Sequence, residues 1–314
     1  MIYCIGHSII SPLGEGSQAN YEAVQAGHSG LKQYTNRFAD VAPICASLFD
    51  TQQDFVPLCI KSVETAGADE GLLAGNDTVF ILSTTKGDRL DLITPAKRIA
   101  ARFHNPNPPI VVSNACTSGV CAQITAKRLL ECGMYRHAVV VGCDLQSRFI
   151  VSGFQAFNAL SPEPCLPFSP ERKGLNLGEA AATIVYTAEP HTGWRLEAGS
   201  IHNDANHLSA PSRTGDGAYL CLNEVMQDAD MAEVELIGVH GTATLYNDDM
   251  ERAAIHRAGL DEVPIWALKP YFGHTMGAAG VLETILCMMH TKKCFVKMLS
   301  GFGGVNAAIR MTCG

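Results

Sequence analysis

One cysteine and two histidines stand where apolar runs break into helix-like segments, a placement that suits nucleophilic chemistry. Residues 109–131 read PIVVSNACTSGVCAQITAKRLLE: a short buried-strand pattern runs through Ser-Asn-Ala into Cys116, and helical spacing begins just after it. A thiol at such a junction meets the unpaired N–H groups and positive end of the helix, which favour the thiolate. Ala115, Ser118 and Gly119 are small and leave room for a substrate. Strand–turn–helix units are also ordinary building blocks, in which a cysteine is often simply buried. Cys121, further along the same helix, reads as core.

The histidines share that setting. Residues 236–250 (LIGVHGTATLYNDDM) put His240 on a Gly/Thr turn between an apolar strand and a helix. Residues 268–280 (LKPYFGHTMGAAG) put Lys269 in a turn and His274 at the mouth of a helix that opens with Gly277, Ala278, Ala279 and Gly280. Small residues there let another backbone come close. His7, His28, His104, His137, His191, His256 and His290 read as structural or surface residues. His202 and His207 lack a third ligand at zinc-like spacing, so neither a metal nor another cofactor is expected.

The positioning elements read as alternating strands and helices. Strands are expected over 2–5, 78–82, 110–112, 138–141, 181–186, 196–200, 234–239, 265–267 and 307–311. Helices are expected over 18–26, 91–103, 117–131, 217–228, 247–257 and 277–290. Such alternation favours α/β layers. The Pro/Gly/Ser-rich segment 161–178 reads as a long loop dividing the chain into unequal halves, and no repeat is visible residue by residue.

Composition narrows the class. With 47% hydrophobic residues in 314, the chain has material for a large core. Its net charge of −8 argues against a nucleic-acid partner. No apolar run approaches the roughly 20 residues that span a bilayer, so no membrane association is expected. The opening MIYCIGHSIISPLGEG reads as a strand and turn rather than a signal peptide. Twelve cysteines without a C-x-x-C pair read as reduced thiols, and a cytoplasmic setting is expected.

Together these segments resemble the β-ketoacyl synthase family of condensing enzymes, of the 3-oxoacyl-[acyl-carrier-protein] synthase I/II type in the thiolase-like superfamily. The resemblance is collinear. NACTSG is similar to the nucleophile motif, PFSPERKGLNLGEAAATIV to the central loop and strand, and HGTATLYND and KPYFGHTMGAAG to the two histidine motifs. DANHLSAP and the closing GFGGVNAA also match family stretches, and SPLGEGSQANYEAVQAGHSG resembles the opening turn and helix.

The resemblance implies an α/β, thiolase-like fold: two similar halves in an αβαβα arrangement, 1–190 carrying the nucleophile and 191–314 the histidines. It implies an acyl group on Cys116, condensed with a malonyl group whose enolate His240 and His274 stabilise, in fatty-acid, polyketide or aryl-polyene synthesis. Lys269 and Glu283 would support the second histidine. The N–H groups of Cys116 and Phe302 would form the oxyanion hole, with Phe302 as gate. Thr242, Thr244, Gly301 and Gly303 would contact the substrate arm, and Arg172 would dock an acyl carrier protein. The expected assembly is a homodimer or a heterodimer with a related subunit.

Two regions look short for the family. Little room for the family's usual helices is expected between Gly30 and Cys116, and only residues 284–300 separate Glu283 from Gly301, with Ser300 where the family usually has phenylalanine. A shortened subunit would need a second one to complete its pocket. A non-catalytic partner of the chain-length-factor type is the main alternative, but such partners usually lack the cysteine. A thiolase-type or synthase III enzyme acting on coenzyme A esters fits the His–His pair less well, and a Cys–His hydrolase on another fold is a further alternative.

Overall fold

Strands apolar on both faces form the frame, because each is covered by helices above and below. The protein's structure, a computed structural model, describes residues 1–207 and 211–314, so residues 208–210 of the DANHLSAP stretch lie outside it. The first half opens with β1 (Tyr3–Ser11), its short partner β2 (Gly14–Glu15) and α1 (Ser17–Gln25). β3 (Lys32–Tyr34) and β4 (Ile44–Ser47) form a small separate sheet with β8 (Leu177–Gly178). Next come α2 (Phe55–Thr65), α3 (Glu70–Leu73), β5 (Thr78–Ser83), α4 (Ile93–Arg102), β6 (Ile110–Val112) and α5 (Ser118–Glu131). β7 (His137–Asp144), α6 (Arg148–Ala156) and β9 (Ala180–Thr187) complete the half.

The second half runs β10 (Trp194–Asn203), α7 (Asp216–Val225), β11 (Val234–Gly238), α8 (Leu245–Arg257), β12 (Ile265–Trp266) and α9 (Lys269–Phe272). It ends with α10 (Ala279–His290), β13 (Cys294–Ser300) and β14 (Val305–Cys313). No helix among the described residues is long and apolar enough to cross a membrane.

The halves are alike in topology. In space the strands run β6-β5-β7-β9-β1 on one side and β12-β11-β13-β14-β10 on the other. Each set therefore follows the order third, second, fourth, fifth, first. In each, the three outer strands are parallel and the last two join antiparallel. The sets meet where β1 pairs with β10 at Tyr3 and Arg195. The duplication is structural, which is why no repeat shows in the sequence.

The layers follow from this order. α2 and α4 cover one half-sheet through Phe55, Leu58 and Ile99. α7 and α8 cover the other through Leu222 and Met250. Between the half-sheets lie α5 and α10, the equivalent crossover helices, with Val120, Ile124, Val281 and Ile285 in one shared core. The arrangement is αβαβα. α10 is apolar nearly all round because protein surrounds it.

Several expectations need correction. Residues 30–116 hold three helices, α2, α3 and α4, of which only α4 was among the expected elements. The helices α6 and α9 and the strand β13 were also not among the expected elements. The later region is indeed short: only residues 291–293 join α10 to β13.

Gly119 and Gly280, each the second residue of its helix, let α5 and α10 touch backbone to backbone. A Cβ at Gly280 would lie 2.5 Å from the Val120 amide nitrogen, and one at Gly119 would lie 2.8 Å from Gly280 Cα. Gly280→Ala is expected to cost about 1–3 kcal/mol of stability, as overpacked cores do. Urea denaturation measures it, and a variant as stable as the parent would show that the helices move apart freely.

Candidate active site

Three turns build the site, and each holds a non-glycine residue in the left-handed region. These are Ala115 (φ 47), Ala243 (φ 58) and Met276 (φ 54), beside Cys116, His240 and His274 respectively. Such residues carry strain of order 1–3 kcal/mol and persist only where surrounding bonds hold them. At the first turn, Ser118 Oγ donates to Ala115 O at 2.6 Å while accepting from the Asn114 N–H at 2.7 Å. At the second, the Ala243 N–H donates to Asp248 and its carbonyl accepts from the Gly174 N–H at 3.0 Å.

Cys116 is 5% exposed, and its sulfur lies 2.9 Å from His274 Nε2. The backbone N–H groups of Cys116 and Phe302 lie beside the sulfur and favour its charged form. Burial nevertheless pushes the thiol up to about 11, outweighing the pull of Lys269 and these donors.

His274 is fully buried. Its Nδ1 accepts from the Met276 N–H at 3.4 Å, which leaves the proton on Nε2, facing the sulfur. His240 packs edge-on to it, with ring centroids 5.2 Å apart. Neither ring nitrogen of His240 has a hydrogen-bond partner among the described residues. Asn247, whose amide nitrogen donates to Glu251 at 2.8 Å, lies close enough to the ring for its side chain to favour the protonated form. Burial, then Lys269, holds both imidazoles well below their ordinary value of 6.5, so both are neutral at neutral pH.

Behind the histidines lies a cluster of buried charge. Lys269 Nζ donates to His240 O at 2.5 Å and pairs with Glu283 Oε1 at 3.0 Å. Lys297 pairs with Glu283 Oε2 at 2.7 Å. Burial pushes the Glu283 carboxyl up, but the two lysines outweigh it and hold the group below the usual carboxylate range. Glu251 accepts from the N–H groups of His240 and Gly241 at 2.6 and 2.7 Å.

The three reactive side chains open on a cavity of about 480 Å³. Thr242 and Thr244 line it, their hydroxyl oxygens 2.9 Å apart. Gly301 packs against the nucleophile turn, where a Cβ would lie 3.3 Å from the Cys116 amide nitrogen. Gly303 (φ +90) lets the loop turn back. Phe302, 38% exposed, packs on Phe154 and Phe157 at the cavity wall. Ser300 faces the cavity and donates to Asn306 at 2.6 Å.

Arg172 borders the cavity, but its side chain is only 9% exposed. It donates to Asp249 Oδ1 at 2.5 Å and to Ser169 O at 2.9 Å, and it neighbours Asp248. That placement makes it a brace for the 161–178 loop and leaves little of it to meet a carrier protein. The zinc-like alternative finds His202 paired with Glu224 at 2.8 Å.

Known proteins match this arrangement. Residues 87–190 match the Beta-ketoacyl synthase, N-terminal domain, and residues 195–300 the Beta-ketoacyl synthase, C-terminal domain. The chain belongs to the β-ketoacyl synthase family. This family member is 29% identical to Nodulation protein E of Rhizobium meliloti, over 72% of its own length and 61% of that protein's. It is 26% identical to 3-oxoacyl-[acyl-carrier-protein] synthase 2 of Coxiella burnetii, over 90% of its own length and 84% of that protein's. Other nodulation proteins E are matched over about half their length. Its fold is that of a chain in the complex of the ketosynthase ApeO with its chain length factor ApeC from Xenorhabdus doucetiae (TM-score 0.90, 23% identity, 100% and 98% of the two chains). The thiolase-like architecture is thereby shown.

Sequence reasoning missed two members of this β-ketoacyl synthase site, Lys297 and Glu251. A lysine in the otherwise apolar run CFVKML was the available signal for the first. Glu251 looks like an ordinary polar residue of a helix. The protonated thiol has a direct readout: alkylation of Cys116 by iodoacetamide should climb with pH through 9 and beyond. A plateau near pH 7, seen by mass spectrometry of the Cys116 peptide, would show a resting thiolate instead.

Proposed function

We propose that the protein joins an acyl group held on Cys116 to a malonyl thioester by decarboxylative Claisen condensation, giving a 3-oxoacyl thioester. The observation that carries this reading is a single cavity in which a thiol, an engaged imidazole and an imidazole with open nitrogens face one another. In the first step the Cys116 sulfur attacks an acyl thioester. A new S–C bond forms, the carrier's S–C bond breaks, and the thiol proton leaves with the carrier thiol. The N–H groups of Cys116 and Phe302 take the oxyanion as charge develops on the carbonyl.

In the second step a malonyl thioester sets its carbonyl oxygen between His240 and His274. The bond to the carboxylate breaks, CO2 departs, and the electron pair moves into an enolate that the neutral imidazoles stabilise by donating hydrogen bonds. The enolate carbon attacks the acyl carbonyl. Cys116 leaves as thiolate and regains a proton from solvent.

The lesser residues support these steps. Lys269 holds the His240 turn rather than that of the second histidine, with Glu283 as its ion-pair partner, while Thr242, Thr244, Gly301 and Gly303 shape the channel for a phosphopantetheine arm. The proposed donor of both groups is acyl carrier protein, in a reducing, cytoplasmic setting consistent with twelve free cysteines. The halves divide near residue 190, with the nucleophile in 1–190 and the histidines in 191–314. A dimer, with itself or a related subunit, is the proposed assembly. Its support is the open edge of β6, half-buried along its length, and the exposed Leu90 and Phe149 that line a second cavity. A non-catalytic chain-length-factor role leaves the intact Cys116–His240–His274 set without purpose.

Incubation with acyl- and malonyl-loaded carrier proteins tests the reading. Intact mass spectrometry should show an acyl group on the wild type and none on Cys116→Ala. His240→Ala should keep the acyl group while CO2 release falls about 10²–10³-fold. A wild type that neither retains an acyl group nor releases CO2 from any carrier tested would refute it.

A further inference from the structure

β13 is a strand of seven buried residues, and a lysine stands in its middle. Lys297 is 1% exposed. A buried ammonium is costly unless every donor finds a partner. Here Nζ donates to the carbonyls of Gly238 at 2.9 Å, Val239 at 2.8 Å and Met298 at 3.0 Å, and it pairs with Glu283 at 2.7 Å. Lys269 takes the next carbonyl, that of His240, from the other side. Three successive carbonyls, 238 to 240, therefore end on two ammonium groups. The following N–H groups, of His240 and Gly241, end on Glu251.

One lysine would suffice to neutralise Glu283, and Lys269 already does so. The second cation does something else. Its two bonds to Gly238 and Val239 fix the end of β11 where the chain turns to present His240. His240 has no side-chain bond of its own among the described residues, so the direction of its ring is set by this backbone and by packing. We propose that Lys297 is a positioning residue for His240, fixing the 238–240 backbone so that the imidazole faces the substrate thioester with its nitrogens open. The proposal rests on the condensing reading above and assigns Lys297 to the decarboxylation half of it.

Charge supports the same role. His240 is faced by Lys269 from α9, Lys297 from β13, Glu251 and Asp248 from α8, and Glu283 from α10. The His274 imidazole and the Cys116 thiol complete its surroundings. Both lysines favour the neutral ring. Removing one positive neighbour raises the pKa of His240, so the acid limb of decarboxylation moves to higher pH. Lys297 makes no hydrogen bond or ion pair with Cys116 or His274 among the described residues. Its charge also favours the neutral His274 ring, but it does not set the 2.9 Å contact of that ring with the sulfur, and acylation should be spared.

Lys297→Met keeps the stem and removes the charge, and Glu283 remains paired with Lys269. Two readouts follow. Titration of ¹⁵N-histidine-labelled protein, with the His240 signal assigned through His240→Gln, should shift upward by about one unit or more. CO2 release from malonyl carrier protein should fall about tenfold to a hundredfold while acylation of Cys116 changes less than about threefold. An unshifted His240 titration in folded Lys297→Met overturns the proposal, as does an equal fall of both half-reactions. If Lys297→Met does not fold, Lys297→Arg decides. A wild-type His240 titration with CO2 release within about tenfold supports the role, and failure of either overturns it. The titration needs no substrate, so it tests Lys297 separately from the condensing reading.

Discussion

The contact between Gly119 and Gly280 is the constraint on which the site depends. Each glycine is the second residue of a crossover helix, and no side chain separates the two backbones. Cys116 lies three residues before one glycine and His274 six before the other, so the helix contact brings sulfur and imidazole to 2.9 Å. The sulfur then lies just before the N-terminus of α5. The partial positive charge there is worth at most ~2 kcal/mol in partly buried geometry. The thiol's rise from 9.0 to about 11 corresponds to roughly 3 kcal/mol the other way. Burial outweighs the helix end and holds the thiol above its ordinary range.

This balance explains what could be read from the sequence. Cys116, His240 and His274 were legible because each lies in a turn whose signals are local: an apolar run, a few small residues, then helical spacing. The duplicated fold was not legible, since strand order depends on pairings such as Tyr3 with Arg195 that leave no local mark. α2 was missed because Pro57 reads as a breaker, although in the first turn of a helix its missing N–H costs nothing. β13 was missed because Lys297 interrupts its apolar run. That lysine is buried only because Glu283 and the carbonyls of β11, distant in sequence, meet it. Arg172 shows the converse: a loop arginine looks free in the sequence, yet Asp249 lies beside it.

The same charges account for the strained turns. Left-handed Ala243 follows a stretch whose carbonyls and amides are bound by Lys297, Lys269 and Glu251. Met276 is followed by Gly277, whose N–H donates to the buried Asp144 at 2.8 Å. Bonds to charged groups are the stronger kind, and here they oppose distortion at each histidine turn. Removing them would let the backbone relax to commoner conformations and turn the rings away. The polar cluster is therefore part of the catalytic geometry even where it touches no substrate.

The two imidazoles differ in one respect that decides their use. His274 has both ring nitrogens engaged, one by the Met276 N–H and one at the Cys116 sulfur. His240, 5.2 Å away, has neither engaged within the described protein. A buried polar group left unsatisfied costs about 1–3 kcal/mol, and an apolar side chain of similar size would avoid that cost. The fold bears it at His240 while binding nearly every backbone polar group around that residue. A histidine so held and so unpaired is arranged for a partner that arrives from outside, and its free nitrogens call for an oxygen in the shared cavity. His274 already faces the sulfur, whereas His240 still has both nitrogens to offer.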